Sequence, residues 1–313
     1  MFVQAFHVAK RTCLENGLIF EDTRTMLRHF LIFVALCFVP SLASGETIYA
    51  EGAVDLTNGR PIYRLVLSGK LVTDGPVLKD GMVWRVYRDR RGGDGEALPL
   101  IATATGGTGT FDLNAGTYFI HAAFGRAGAG KRVVLSGESS TEELVLEAGG
   151  LQLAASAAGK PIPSEKLRFS IYEREADESG ERQLIALNVA GDKIIRLKAG
   201  TYHVLSRYGT INATVRADLQ VKAGELTKAE LQHRGSPISL RAVSEAGGVA
   251  VANTAWTVFT ADGEQVFASS SIAPSLVLAE GEYEAAVRYG AEEFRQPFTV
   301  GTGEEKRIEI LLN

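Results

Sequence analysis

Apolar and polar residues alternate along most of this chain from Leu65 onward, and one alternating phrase occurs three times. Phe111 to Tyr118 reads F-D-L-N-A-G-T-Y, Ile195 to Tyr202 reads I-R-L-K-A-G-T-Y, and Leu276 to Tyr283 reads L-V-L-A-E-G-E-Y. A period of two predicts a strand with one buried face, here through Phe111 and Leu113, Ile195 and Leu197, and Leu276 and Leu278. Gly116, Gly200 and Gly281 come next. Each is expected to turn the chain by taking a positive φ, which glycine does without steric cost. Tyr118, Tyr202 and Tyr283 then open a second alternating run. A tyrosine just past such a turn can bury its ring and return its hydroxyl to the backbone across the corner. The tyrosines stand 84 and then 81 residues apart, and the glycine of an aromatic-glycine pair follows each by seven: Gly125, Gly209 and Gly290. A period of this length marks repeated structural units.

The remaining strands align on that frame. Leu65-Val66-Leu67, Leu151-Gln152-Leu153 and Ser239-Leu240-Arg241 open the units, and Trp84 to Tyr87, Phe169 to Tyr172 and Trp256 to Phe259 form an aromatic second strand. Gly137-Glu138, Gly224-Glu225 and Gly303-Glu304 introduce a closing strand. About seven short strands in each 80 to 90 residues, with turn signals between them, predict antiparallel sandwiches. The expected fold is all-β: three tandem antiparallel β-sandwich domains of Ig-like or prealbumin-like type after an N-terminal signal helix. Boundaries are expected at 46–149, 150–234 and 235–313, behind an extension and signal peptide at 1–45. Short linkers at Gly149-Gly150 and Gly235-Ser236-Pro237 predict a semi-rigid rod or arc.

The L-x-A-G-T-Y phrase followed by an aromatic-glycine pair resembles the L-x-P-G-x-Y…G-Y phrase of carboxypeptidase regulatory-like, or prealbumin-like, sandwich domains. Ala115, Ala199 and Glu280 stand where those domains usually carry proline. The resemblance covers most of residues 64–313 and implies a fold; it implies no particular activity. An enzyme on the related transthyretin-like fold hydrolyses 5-hydroxyisourate and ends in Y-R-G-S, whereas this chain ends R-I-E-I-L-L-N.

Composition adds a compartment. Arg28 precedes an apolar run from Phe30 to Val39, Pro40 breaks it, and small residues follow, in the order of a secretory signal peptide. The run falls short of the roughly 20 residues a membrane span needs. Cleavage after Ala43 or Gly45 is expected, with Met26 as the true start. Both cysteines, Cys13 and Cys37, would leave with the signal. Residues 1–45 hold four Lys/Arg and three Asp/Glu, so the formal charge moves from −4 to 29 − 34, or −5. A mildly acidic chain of this kind gives no reason to expect nucleic acid as a partner.

Candidate chemistry is sparse. Gly125 to Lys131 reads G-x-x-x-x-G-K, but Arg132 stands where a phosphate loop needs Ser or Thr and no helix follows, so a glycine-rich hairpin is expected. His121 and His203 follow their tyrosines by three and one residues, which is taken to turn them to opposite sides of their strands. With His233 they are expected at the surface or half buried. No metal or cofactor site and no catalytic residues are expected. Arg85, Arg88, Arg90 and Arg91, beside Trp84 and Tyr87, form a basic cluster that could meet an anionic partner, although a solvated hairpin tip accounts for them as well. The expected function is non-catalytic: a periplasmic or secreted envelope protein that engages another protein through its sandwich domains. The alternative is a carbohydrate or other small-ligand binder using exposed aromatics.

Overall fold

The computed structural model describes residues 59–89 and 98–313. The signal segment and its helix, the leader at 46–58, and Arg90 and Arg91 at the first hairpin tip lie outside the described residues.

The alternation becomes strands as expected. The first unit comprises β1 (Ile62–Lys70), β2 (Met82–Arg88), β3 (Leu100–Gly106), β4 (Gly109–Asn114), β5 (Gly116–Phe124), β6 (Ala127–Leu135) and β7 (Ser140–Val145). The second comprises β8 (Ala148–Ala157), the two-residue β9 (Lys160–Pro161), β10 (Leu167–Ala176), β11 (Arg182–Ala190), β12 (Ile194–Lys198), β13 (Gly200–Tyr208), β14 (Thr214–Val221) and β15 (Leu226–His233). The third comprises β16 (Gly235–Val243), β17 (Thr254–Thr260), β18 (Gln265–Ser269), β19 (Ser275–Ala279), β20 (Gly281–Tyr289), β21 (Glu292–Val300) and β22 (Lys306–Leu311). One 3₁₀ turn, Ser164–Lys166, is the helical element among the described residues.

Each unit makes two sheets in the same order. One sheet of each unit runs β3-β2-β5-β6, β11-β10-β13-β14 and β18-β17-β20-β21; the smaller ones run β4-β1-β7, β12-β8-β15 (with the two-residue β9 also paired to β8) and β19-β16-β22. Antiparallel pairing dominates, with one correction to the expectation. The closing strand of each unit pairs parallel to its opening strand: β7 with β1, β15 with β8, and β22 with β16. The smaller sheets are therefore mixed. Period-two alternation carries no strand direction, so this feature cannot be read from it.

Between the sheets lie three cores. Trp84, Tyr118, Ile120 and Leu65 anchor the first, Phe169, Ile171, Tyr202 and Val204 the second, and Trp256, Val258, Tyr283 and Leu240 the third. Burying a side chain of this size stabilises the fold by roughly 1.5–3 kcal/mol before entropy is counted. The aromatic second strands and the tyrosines are thus core, as the alternation predicts. Strand β8 starts at Ala148, two residues ahead of the expected boundary at 150, and Ala148 packs into the first core.

Candidate functional site

The repeated phrase is where the chain leaves one sheet for the other. It passes from β4 to β5, from β12 to β13, and from β19 to β20 across a single residue each time: Ala115, Ala199 and Glu280. Tyr118, Tyr202 and Tyr283 sit just beyond, 0%, 6% and 6% exposed. Each donates its hydroxyl proton to the carbonyl four residues earlier: Asn114 at 2.8 Å, Lys198 at 2.8 Å and Ala279 at 3.1 Å. The corner tyrosine is present in all three units. Burial raises the phenol pKa of Tyr118 and Tyr202 above the ordinary value.

The glycines play a different part from the one expected. Neither Gly116 nor Gly200 has a positive φ, and Gly281, at 157°, borders on extended backbone. The left-handed residues are the second glycines: Gly125 at 65°, Gly209 at 72° and Gly290 at 64°. A sheet switch needs only extended backbone, whereas the two-residue hairpin after β5 or β20 needs a positive φ. The G-x-x-x-x-G-K stretch is accordingly that hairpin and the start of β6.

Those hairpins join the units. Gly125 presses on β12 of the second unit, where a Cβ would lie 2.7 Å from Arg196 Cβ. Arg126 donates its backbone N–H to the Arg196 carbonyl at 2.9 Å, and the Arg196 guanidinium covers the Phe124 ring at 4.4 Å. Gly209 meets β19 in the same way, with a Cβ position 2.7 Å from Val277 Cβ. Asn212 completes that seam by donating Nδ2–H to the Tyr283 hydroxyl at 2.8 Å and accepting the Ala279 N–H at 2.9 Å. A second contact recurs at both seams. Val72 lies against Gly224, and Ala158 against Gly303, the glycines of the Gly-Glu turns.

Two members of the predicted arginine cluster, Arg85 and Arg88, lie on the described strand β2. Arg85 and Arg88 differ by an odd number of positions, so they leave β2 on opposite faces. Arg88 turns to the corner, with Nη2 3.5 Å from the Tyr118 hydroxyl and its guanidinium carbon 5.6 Å from that ring. Arg85 pairs opposite His121 on the outer face. There Tyr87 and Phe119, both half-buried, approach with ring centroids 6.5 Å apart. Gly130 leaves room for the Phe119 ring over β6, since a Cβ there would fall 2.5 Å from it. Burial, followed by the nearby Arg85 charge, holds the His121 pKa below the ordinary value.

Two histidine expectations need correction. Offsets of one and three have the same parity, so His121 and His203 take equivalent outward positions, both half-buried. His203 Nδ1 lies 2.7 Å from Asp218 Oδ1. His233 is not at the surface; it is 2% exposed at the end of β15. Its Nε2 lies 2.8 Å from Ser206 Oγ, its ring meets Tyr208 edge-on, and Nδ1 has no hydrogen-bond partner among the described residues. Burial lowers its pKa to about 4. The polar ending Leu-Gln-His-Arg gives no warning that the histidine is inside. Among the described residues no cluster of His, Cys, Asp or Glu is arranged to hold a metal ion, and no helix is long and apolar enough to cross a membrane.

Comparison with known proteins adds one family. Residues 237–312 match the Rhizobiales growth-associated tandem repeat domain, which covers the third sandwich and supports its tandem-repeat character. No curated protein matches the chain. Among solved structures, the Bacillus anthracis TIE protein aligns over 80% of this chain at 18% identity with a TM-score of 0.23. The present chain spans only 50% of that protein. The minor pilin GBS52 of Streptococcus agalactiae aligns over 55% of this chain and 95% of its own at 15% identity, TM-score 0.31. The shaft pilin SpaA of Lactobacillus rhamnosus GG covers 55% and 97% at 14% identity, TM-score 0.29. These are partial superpositions and assign no role to this chain.

Proposed function

We propose that this chain is a non-catalytic, exported envelope protein, periplasmic or secreted, that acts as a structural and protein-interaction module through three tandem sandwich domains spanning about 46–149, 150–234 and 235–313. The observation that carries this reading is the pair of repeated seams. The chain uses its conserved-in-repeat glycines, Gly125 and Gly209, to lock one sandwich onto the next. A chain so built presents loops and sheet edges at fixed spacing, which suits a spacer or scaffold. The relation to carboxypeptidase regulatory-like domains belongs to the same proposal, supported by the L-x-A-G-T-Y corner. Photo-crosslinking in intact cells tests it: discrete protein adducts should appear in the envelope fraction, and their absence from every exposed position sampled overturns the reading.

A second reading is favoured by one observation. Tyr87 and Phe119, flanked by Arg85 and His121, place two half-buried aromatics on the outer face of the first sandwich. A sugar ring or an anionic glycan could stack there. The alternative is a carbohydrate-binding module, tested by fluorescence titration with a panel of oligosaccharides. Saturable binding abolished by Phe119→Ala would support it; a flat response across the panel would remove it. Arg85, with Arg90 and Arg91 outside the described residues, remains a proposed anionic-partner patch within the first reading, while Arg88 turns to the Tyr118 corner.

A further inference from the structure

Among the described residues, the first and third sandwiches each carry one half of the interior seam that no described residue meets. Each seam has a giving side, the aromatic-glycine hairpin, and a receiving side, the edge strand of the smaller sheet together with the glycine of the Gly-Glu turn. Gly125 and Gly209 give to Arg196 and Val277. Gly224 and Gly303 receive Val72 and Ala158. In the third sandwich the giving glycine is Gly290, at φ 64° against 65° for Gly125, and among the described residues nothing lies within 4 Å of its Cβ position. Its aromatic partner Tyr289 is 44% exposed, whereas Phe124 and Tyr208 are buried at 8% and 5%. The loop after β16, equivalent to the loop that holds Val72, carries Glu245 at the Val72 position and leaves the nearby Val249 88% exposed. At the other end the receiving glycine is Gly137, and again nothing among the described residues lies within 4 Å of its Cβ position. Across the same sheet, β4 is an edge strand among the described residues, and Asp112 holds the register position of Arg196 and Val277.

We propose that the third sandwich of one molecule docks on the first sandwich of a second copy, through the Tyr289-Gly290 hairpin and the β4 edge with its Gly137 turn, so that the chains associate head to tail. The occupant follows from continuity with the two internal seams: the same backbone geometry has already accepted the same partner surface twice within one chain. The contact is heterologous, so it propagates rather than closing as a symmetric dimer. At its centre the Ala291 N–H takes the place of the Arg126 N–H and the Asp112 carbonyl that of Arg196. Tyr289 then meets the Arg64–Asp112 ion pair, as the Phe124 ring meets the Arg196 guanidinium. The inference rests on the interaction-module reading above.

The test uses the full chain with Cys13→Ser and Cys37→Ser. Ala291→Cys and Asp112→Cys occupy positions whose internal equivalents are linked by a 2.9 Å backbone hydrogen bond, close enough for a disulfide. Under mild oxidation the double variant should give a ladder of dimers, trimers and longer species. A mixture of the two single variants should stop at a heterodimer, and Tyr289→Ser should weaken sedimentation-measured association by about tenfold or more, the fold-change of a lost anchor. Circular dichroism confirms that each variant folds. A chain that stays monomeric to millimolar concentration, or a double variant that gives no more ladder than either single variant, overturns the proposal. So does disulfide dimerisation confined to like single variants, which marks a symmetric contact. A monomer that still yields protein adducts in cells sinks head-to-tail docking alone and leaves the interaction-module reading standing.

Discussion

Replacing a corner tyrosine by phenylalanine isolates the hydroxyl from the ring and can be done at two corners with different neighbours. In Tyr202→Phe the ring keeps its place in the core, and one hydrogen bond, 2.8 Å to the Lys198 carbonyl, is lost. A neutral hydrogen bond contributes about 0.5–1.5 kcal/mol net, and leaving a shielded carbonyl without a partner raises the cost to about 1–3 kcal/mol. In Tyr283→Phe the carbonyl of Ala279 is left in the same way, and Asn212 Nδ2 loses its acceptor across the seam as well. The second substitution should therefore cost about 1 kcal/mol more than the first. Urea unfolding of the full chain, followed by fluorescence and circular dichroism, reads both as shifts in midpoint at unchanged slope. Adding Asn212→Ala to each variant completes a double-mutant cycle: it should couple to Tyr283→Phe and not to Tyr202→Phe. An unchanged midpoint for Tyr202→Phe refutes the corner hydrogen bond as a stabilising contact. Equal costs at the two corners, with no coupling to Asn212, refute the seam bridge.

Three further outcomes are expected. Gly125→Ala and Gly290→Ala impose the same strain at nearly equal φ, about 1 kcal/mol, but only the first drives a methyl into Arg196, so in dilute solution it should destabilise by at least about 1 kcal/mol more; equal losses in denaturant melts would mean that the seam yields freely. His233 titrates near 4 when folded and near 6.5 when unfolded, so acidification favours the unfolded chain: stability should fall between about pH 6.5 and 4, by about 3 kcal/mol from this group, and level off below. An NMR titration that places the His233 imidazole near 6.5 in the folded protein would contradict this. Expressed from Met26 in a Gram-negative cell, the chain should leave the cytosol and begin near Ser44 or Glu46 by N-terminal sequencing; an unprocessed cytosolic product would remove the export proposal.

The strands were legible because a half-buried strand writes its burial directly into the sequence. Trp84 and Val86 alternate with Arg85 and Tyr87, and the fold keeps that division along β2 from Met82 to Tyr87. The corner tyrosines were legible for a related reason: a side chain that must bury and still reach a carbonyl four residues back tolerates little drift in spacing. What escaped reading is of a different kind. Strand direction in the smaller sheets, the burial of His233 beside Ser206, and the separation of Arg85 from Arg88 all depend on what stands opposite a residue in space, and a single alternating pattern leaves that open. The glycines show the boundary most sharply. Spacing singled out Gly116 and Gly125 equally, yet one sits in ordinary extended backbone while the other combines a left-handed φ with a neighbour's strand pressed against it. A recurring glycine can exclude a side chain by torsion or by contact, yet at Gly200 neither acts: its φ is not positive and nothing described lies within 4 Å of its Cβ position. In Gly125 and Gly209 both reasons act together, which is why the hairpin that turns each sandwich is also the surface that joins it to the next.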